Sequence, residues 1–154
     1  KKIIKSRKFS VTFDLSFDAV IENCSIRNDA QEGTWITSNM KSAYKKMHSI
    51  GLAHSIEVKS GEKLAGGLYG VSLGTMFFAE SMFFREANAS KVALYFLQSQ
   101  LSEWGFNLLD CQIMNPHLES LGAKNITREA FIAMLKNNPI EQTRQGKWSL
   151  EGGS

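Results

Sequence analysis

The sequence predicts an α+β domain, and three observations carry that prediction. Residues 9–14 alternate apolar and polar, with Phe9, Val11 and Phe13 against Ser10, Thr12 and Asp14, which is the period of a half-buried strand. Residues 66–83 form a glycine-punctuated run whose turn signal at 72–75 separates two β-prone arms, as in an antiparallel hairpin. Residues 88–104 place Ala93, Leu94, Leu97, Leu101 and Trp104 on one side of a helix, with Asn88 at its start and Gly105 at its stop, and this is expected to be the longest and central helix. A strand, two helices, antiparallel strands, a long helix and a further strand in that order give an α+β domain.

Each element has a local cause. Ser16 caps a helix whose Phe17, Val20, Ile21 and Cys24 form one apolar stripe, and 26–33 reads as a polar loop. Trp35 follows, either filling the edge of the core or stacking on a base. Ser38 or Asn39 caps a second helix with a stripe of Met40, Ala43, Tyr44 and Met47 that Ile50 extends before Gly51 stops it. Tyr44 is either a satisfied buried tyrosine or one that turns its hydroxyl toward a cleft. Residues 54–59 read as a strand and 60–63 as the turn into the hairpin, while His48 and His54, without visible ligand partners, read as structural.

In the second hairpin arm, strict alternation puts Phe78, Glu80 and Met82 on one face and Phe77, Ala79 and Ser81 on the other. Glu80 is then either an edge carboxylate facing water or a functional group. Residues 106–114 read as a strand with Asp110 and Gln112 on one face and Leu109, Cys111 and Ile113 on the opposite one. Asn115 and Pro116 open a short helix ending at Gly122, and Thr127 caps another through Phe131, Met134 and Leu135. The folded domain is thus expected over 1–136, and 137–154 reads as a polar tail, partly non-native at its end.

Composition narrows the function classes. A chain of 154 residues suits one domain with a sizeable core. With 43% hydrophobic and 21% charged residues it has an ordinary globular make-up, and no apolar run reaches the roughly 18 residues of a membrane helix. The first residues are basic and β-branched rather than patterned as a signal peptide, so secretion is unsupported. Cys24 and Cys111 sit in apolar periodic segments and read as core residues of a protein in a reducing cytoplasm. The net charge is +3, but Lys1, Lys2, Lys5, Arg7 and Lys8 gather positive charge at the start, either a phosphate-facing patch or a solvated terminus.

The motifs have a family likeness. Gly66-Gly67-Leu68-Tyr69-Gly70, then Glu80-Ser81-Met82-Phe83, then Asn88-Ala89-Ser90-Lys91 and Asp110-Cys111-Gln112, with Thr34-Trp35-Ile36, Ala43-Tyr44 and Ala53-His54-Ser55-Ile56-Glu57 upstream, resemble the bacterial leucyl/phenylalanyl-tRNA protein transferases. The likeness runs from about Arg7 to Leu135. It implies the fold of the GNAT acyltransferases, and a further N-terminal domain that this sequence is expected to lack. It also implies a cytoplasmic, monomeric, cofactor-free and metal-free enzyme of the N-end rule degradation pathway. Its donors would be Leu-tRNA and Phe-tRNA, its acceptors proteins beginning with Arg or Lys, and no membrane would be involved.

That reaction replaces an activated ester with a peptide bond. An α-amino group titrates at roughly 7.7 to 8, so positioning can supply much of the acceleration without a strong base. The resemblance assigns Gln112 to accept a hydrogen bond from the attacking amine, and Asp110 to hold that arrangement and stabilise the developing ammonium; direct proton transfer by Asp110 stays open. It puts Glu80 beside the ester's sugar hydroxyl or the incoming cation. Leu68, Phe77 and Met82 would line the side-chain pocket, although alternation separates Phe77 from the others, and Trp35, Tyr44 and Ser81 would join the substrate contacts. Two other classes remain. A CoA-dependent N-acetyltransferase would share the fold, but the approach to the central helix, 83–90, has no glycine and carries Glu86, which repels phosphate. A non-catalytic module binding tRNA ends or degrons is the other.

Overall fold

The computed structural model describes residues 8–32, 37–111, 116–120 and 122–150, without the side chains of 27–32, 116 and 117. Five strands form one sheet in the order β1-β2-β3-β4-β5: β1 (Ser10–Phe13), β2 (Ala53–Ser60), β3 (Lys63–Leu73), β4 (Met76–Phe84) and β5 (Leu108–Asp110). Neighbours run antiparallel except β4 and β5, which are parallel and are joined by the crossover helix α3 (Ala89–Glu103). One sheet face packs on α3 through Ile56, Val58, Leu68 and Phe77 against Val92, Ala93 and Leu97. The other packs on α1 (Phe17–Glu32) and α2 (Ser38–Ser49) through Tyr69, Val71 and Phe83 against Phe17, Val20, Ile21 and Cys24. Two short helices follow β5, α4 (Pro116–Ser120) and α5 (Arg128–Lys136).

The turn chemistry explains the hairpin and the helix stops. β3 and β4 are joined by two residues, Gly74 and Thr75, as the 72–75 signal predicts. Both α2 and α3 end on a left-handed glycine, Gly51 (φ 86°) and Gly105 (φ 82°). The amides of Leu52 and Phe106 then reach back to Met47 and Leu101 at 2.9 Å in each case, which satisfies carbonyls the helix leaves open. Thr37, rather than Ser38 or Asn39, caps α2, its hydroxyl accepting from the Met40 amide at 3.1 Å. Thr127 caps α5 in the same way, accepting from Ala130 at 3.0 Å.

Several sequence expectations need correction. The backbone of α1 runs through the predicted loop to Glu32, which makes it, at 16 residues, longer than α3 with 15; polar residues without Gly or Pro solvate a helix rather than end it. Ile50 does not extend the apolar stripe and is 53% exposed. β5 is confined to three residues, and Gln112 to Asn115, like Thr34 to Ile36, lie outside the described residues.

Past Lys136 the chain stays on the domain as a strap over residues 137–150. Asn138 accepts from the Thr75 amide at 3.0 Å and donates to the Leu73 carbonyl at 2.9 Å, and Thr143 accepts from the Gly74 amide at 2.7 Å. Polar side chains thus hold the strap by bonding the hairpin backbone, which is why hydropathy does not reveal it. At its end Trp148 is buried, with its ring 3.6 Å from that of His54 in a stacked arrangement and edge-on to Trp104 at 5.0 Å.

Asp14 ties this end together. The strand alternation places it outward, yet it is buried, with a left-handed backbone (φ 57°) that aspartate tolerates. It accepts from the Ser55 amide at 2.9 Å, the Trp148 amide at 2.8 Å and His54 Nδ1 at 2.7 Å. Glu57, equally buried, accepts from Thr12 Oγ1 at 2.7 Å, the Leu15 amide at 3.1 Å and the Ser55 hydroxyl. The His54-Ser55-Ile56-Glu57 motif therefore serves β1–β2 and strap docking, and His54 is structural.

Candidate active site

β4 and β5 separate after a short register. They pair only from Met76 opposite Leu108 to Phe78 opposite Asp110, while β4 continues to Phe84. At the end of this pairing lies a cleft of about 770 Å³ lined by Phe78, Glu80, Leu109, Asp110, Cys111 and Leu118 and, from the α4–α5 side, by Lys124, Asn125, Arg128 and Phe131. Glu80 and Asp110, predicted from different segments, thus share one cavity.

Glu80 owes its position to a β-bulge. Tyr69 faces Ser81 and Gly70 faces Ala79, so Glu80 has no counterpart on β3 and the strict alternation breaks there. Gly70 is required at this point, because a Cβ would collide with the Phe78 carbonyl and the Phe77 ring. The bulge has a second effect. Leu68, Phe77 and Met82, which alternation divides between two faces, belong to one cluster, with Leu68 and Phe77 fully buried and Met82 partly so. They form core behind the cleft, whose open apolar lining is Phe78, Leu109, Leu118 and Phe131. Ser81, opposite Tyr69, is partly buried on the other side.

The carboxylate is fastened from the helical side. The Tyr44 hydroxyl bonds Glu80, and burial first, then the Glu80 charge and that bond, push its pKa from 10.0 up to about 12. Tyr44 packs edge-on against Tyr69 at 5.1 Å, and the Tyr69 hydroxyl is also pushed up, by burial foremost and then by Cys24, Tyr44 and Glu80. In the same cleft, Asp110 ends β5 and its charge adds to the burial that raises the Cys111 thiol pKa. Among the described residues no three His, Cys, Asp or Glu side chains converge on a metal position, and no helix is long and apolar enough to cross a membrane.

Of the predicted residues, then, Glu80, Asp110 and Tyr44 meet around the cleft, Leu68, Phe77 and Met82 stand behind it, Ser81 lies aside, and Trp35 and Gln112 fall outside the described residues. Leu118, Lys124 and Arg128 were not singled out from the sequence, and Phe78 was named only as sharing the face of Glu80. The alternation over 77–82, the strand reading of 106–114 and the apolar stripe with Phe131 were the sequence signals for the rest of the lining.

A mostly antiparallel five-stranded sheet whose one parallel pair, β4–β5, is joined through a crossover helix has the GNAT-like fold. A solved aminoglycoside acetyltransferase from an uncultured soil metagenomic sample shares it. In complex with trehalose it matches with a TM-score of 0.57 at 12% identity, over 78% of this chain and 92% of that one. In complex with sisomicin the TM-score is 0.59 at 11% identity, over 79% and 93%. Residues 1–136 match the leucyl/phenylalanyl-tRNA protein transferase family, and the chain belongs to it. Relatives called leucyl/phenylalanyl-tRNA–protein transferase include one from Syntrophus aciditrophicus, 51% identical over 150 residues, and one from Desulfatibacillum aliphaticivorans, 47% identical over 152. These alignments take in 97% and 98% of this chain but 63% and 65% of the relatives, so the chain spans a little under two thirds of their length.

Proposed function

We propose that this chain carries the acyl-transfer centre of a leucyl/phenylalanyl-tRNA protein transferase, moving leucine or phenylalanine from the tRNA ester to the N-terminal Arg or Lys of a protein, in the cytoplasm and as a monomer. The observation that carries the reading is the meeting of Glu80 and Asp110 across the split between two parallel strands, in a chain of this family. The attacking amine enters between two carboxylates, which attract a cationic terminus and stabilise the ammonium formed as the C–N bond develops. Asp110 supports that charge. Gln112, two residues on, accepts from the amine, a role that rests on its sequence position beside Asp110.

Glu80 is bonded by Tyr44, and a carboxylate so positioned suits a ribose hydroxyl or the acceptor's positive side chain. The apolar lining of Phe78, Leu109, Leu118 and Phe131 suits a Leu or Phe side chain, which gains by leaving water there. Near the start of α3, Glu86 pairs with Lys8 at 3.4 Å; a carboxylate there works against a CoA pyrophosphate. The test is transfer of radiolabelled leucine from tRNA to an Arg-starting peptide, by this chain alone and by the chain extended to its relatives' length. Transfer by either supports the reading; acetyl transfer from acetyl-CoA without leucyl transfer refutes it.

A further inference from the structure

The cleft is electrically divided. Glu80 and Asp110 stand on the sheet side, and Lys124 and Arg128 stand on the α4–α5 side of the same opening. Both cations are exposed, and among the described residues neither has a carboxylate within ion-pairing distance. Several other basic side chains are engaged elsewhere on the domain. Lys8 pairs with Glu86, and Lys41 and Lys45 pair with Glu22 at 3.3 and 3.5 Å. Arg144 lies over the Trp104 ring at 3.9 Å.

We propose that Lys124 and Arg128 hold the backbone phosphates of the single-stranded 3′ end of the donor RNA, at the cleft rim opposite Glu80 and Asp110. The proposal rests on the functional reading above and deepens it, since the two substrates carry opposite charge. The acceptor brings a cationic terminus and is drawn to the acidic wall. The donor brings one negative charge per nucleotide and is drawn to the basic rim. An aminoacyl group reaching toward Asp110 leaves its trailing nucleotides at the cleft mouth, where two flexible cations meet them as point-charge and fork-shaped partners. The division also opposes misbinding, because a cationic peptide entering along the α5 side meets like charge.

The experiment is direct binding of a fluorescent ACCA tetranucleotide RNA to the whole chain, compared with the same sequence carrying neutral methylphosphonate linkages. Two contacts should give the native RNA a log-affinity against log-salt slope of at least about −1.4. Joint Lys124→Ala and Arg128→Ala substitution should weaken it roughly five- to tenfold at low salt and flatten that slope by about 1.4. The neutral RNA should bind the parent and the double variant alike. Thermal unfolding checks that the exposed substitutions leave the fold intact. No binding of ACCA by the parent, or equal affinity and slope in parent and variant, overturns the proposal. So does a variant that keeps its RNA affinity but loses preference for acceptor peptides with acidic residues after the first, which would assign the rim to protein. RNA binding of the expected kind by a chain that transfers no leucine upholds the proposal and defeats the functional reading instead.

Discussion

Replacing Asp14 by Asn tests whether the strap is part of the fold. The substitution keeps size and tolerance of the left-handed backbone, so it isolates the acceptor atoms. Asp14 offers Oδ1 to the Ser55 amide and Oδ2 to the Trp148 amide and His54. Asparagine has one acceptor oxygen, so either orientation leaves an NH2 group facing a backbone N–H. A buried amide left without a partner costs about 1–3 kcal/mol, and the amide that keeps one loses charge assistance worth roughly 1 kcal/mol more. The sum, about 3 kcal/mol, is a large part of the ~5–15 kcal/mol that holds a domain of this size. Urea unfolding should show a lower midpoint with an unchanged slope. Trp148→Ala should cost a similar ~3–5 kcal/mol, and the double variant less than the sum, since both loosen one contact. A loss below about 0.5 kcal/mol for Asp14→Asn, within the range of an ordinary surface change, would refute the network.

Two further predictions address the cleft. Glu80→Gln removes the charge that helps raise Tyr44, so that phenol should titrate below its present value of about 12 but above 10.0, because burial, the largest cause, remains; tyrosinate absorbance reads this. A folded pKa above the unfolded one stabilises fully below pH 10 and is lost as pH rises toward 12, so the variant should also lose less stability over that window. Met82→Ala should enlarge the space behind the cleft and shift transfer toward larger side chains; equal relative rates for Leu, Phe and Trp before and after the change would remove Met82 from specificity.

What was legible in the sequence had a local cause. The hairpin could be read because Gly74-Thr75 lies between β-prone arms, and α3 because its stripe repeats at helical spacing up to Gly105. Met82 was separated from Phe77 because a bulge is a relation between two strands, and period-two counting sees only one. The strap was read as a tail because Asn138 and Thr143 look like loop residues until the backbone they bond is known. Asp14 was taken for a surface group because only the distant Ser55 and Trp148 amides explain its burial. Asp110 was found from its motif, whereas Lys124 and Arg128 could be placed at the cleft only once the α4–α5 side was folded against it.

Of the proposed roles, the one on which the chemistry turns is that of Asp110, supporting the charge formed when the amine attacks the ester. Its most direct test is single-turnover leucyl transfer from saturating Leu-tRNA to an Arg-starting peptide, in a form of the protein first shown to be active, with donor affinity titrated separately. Asp110→Asn should lower the rate by about a hundredfold and leave donor affinity nearly unchanged, because the interaction strengthens only as charge develops. Gln112→Ala should behave in the same way. Parental rates in both variants, or equal losses of rate and donor affinity, would contradict the account.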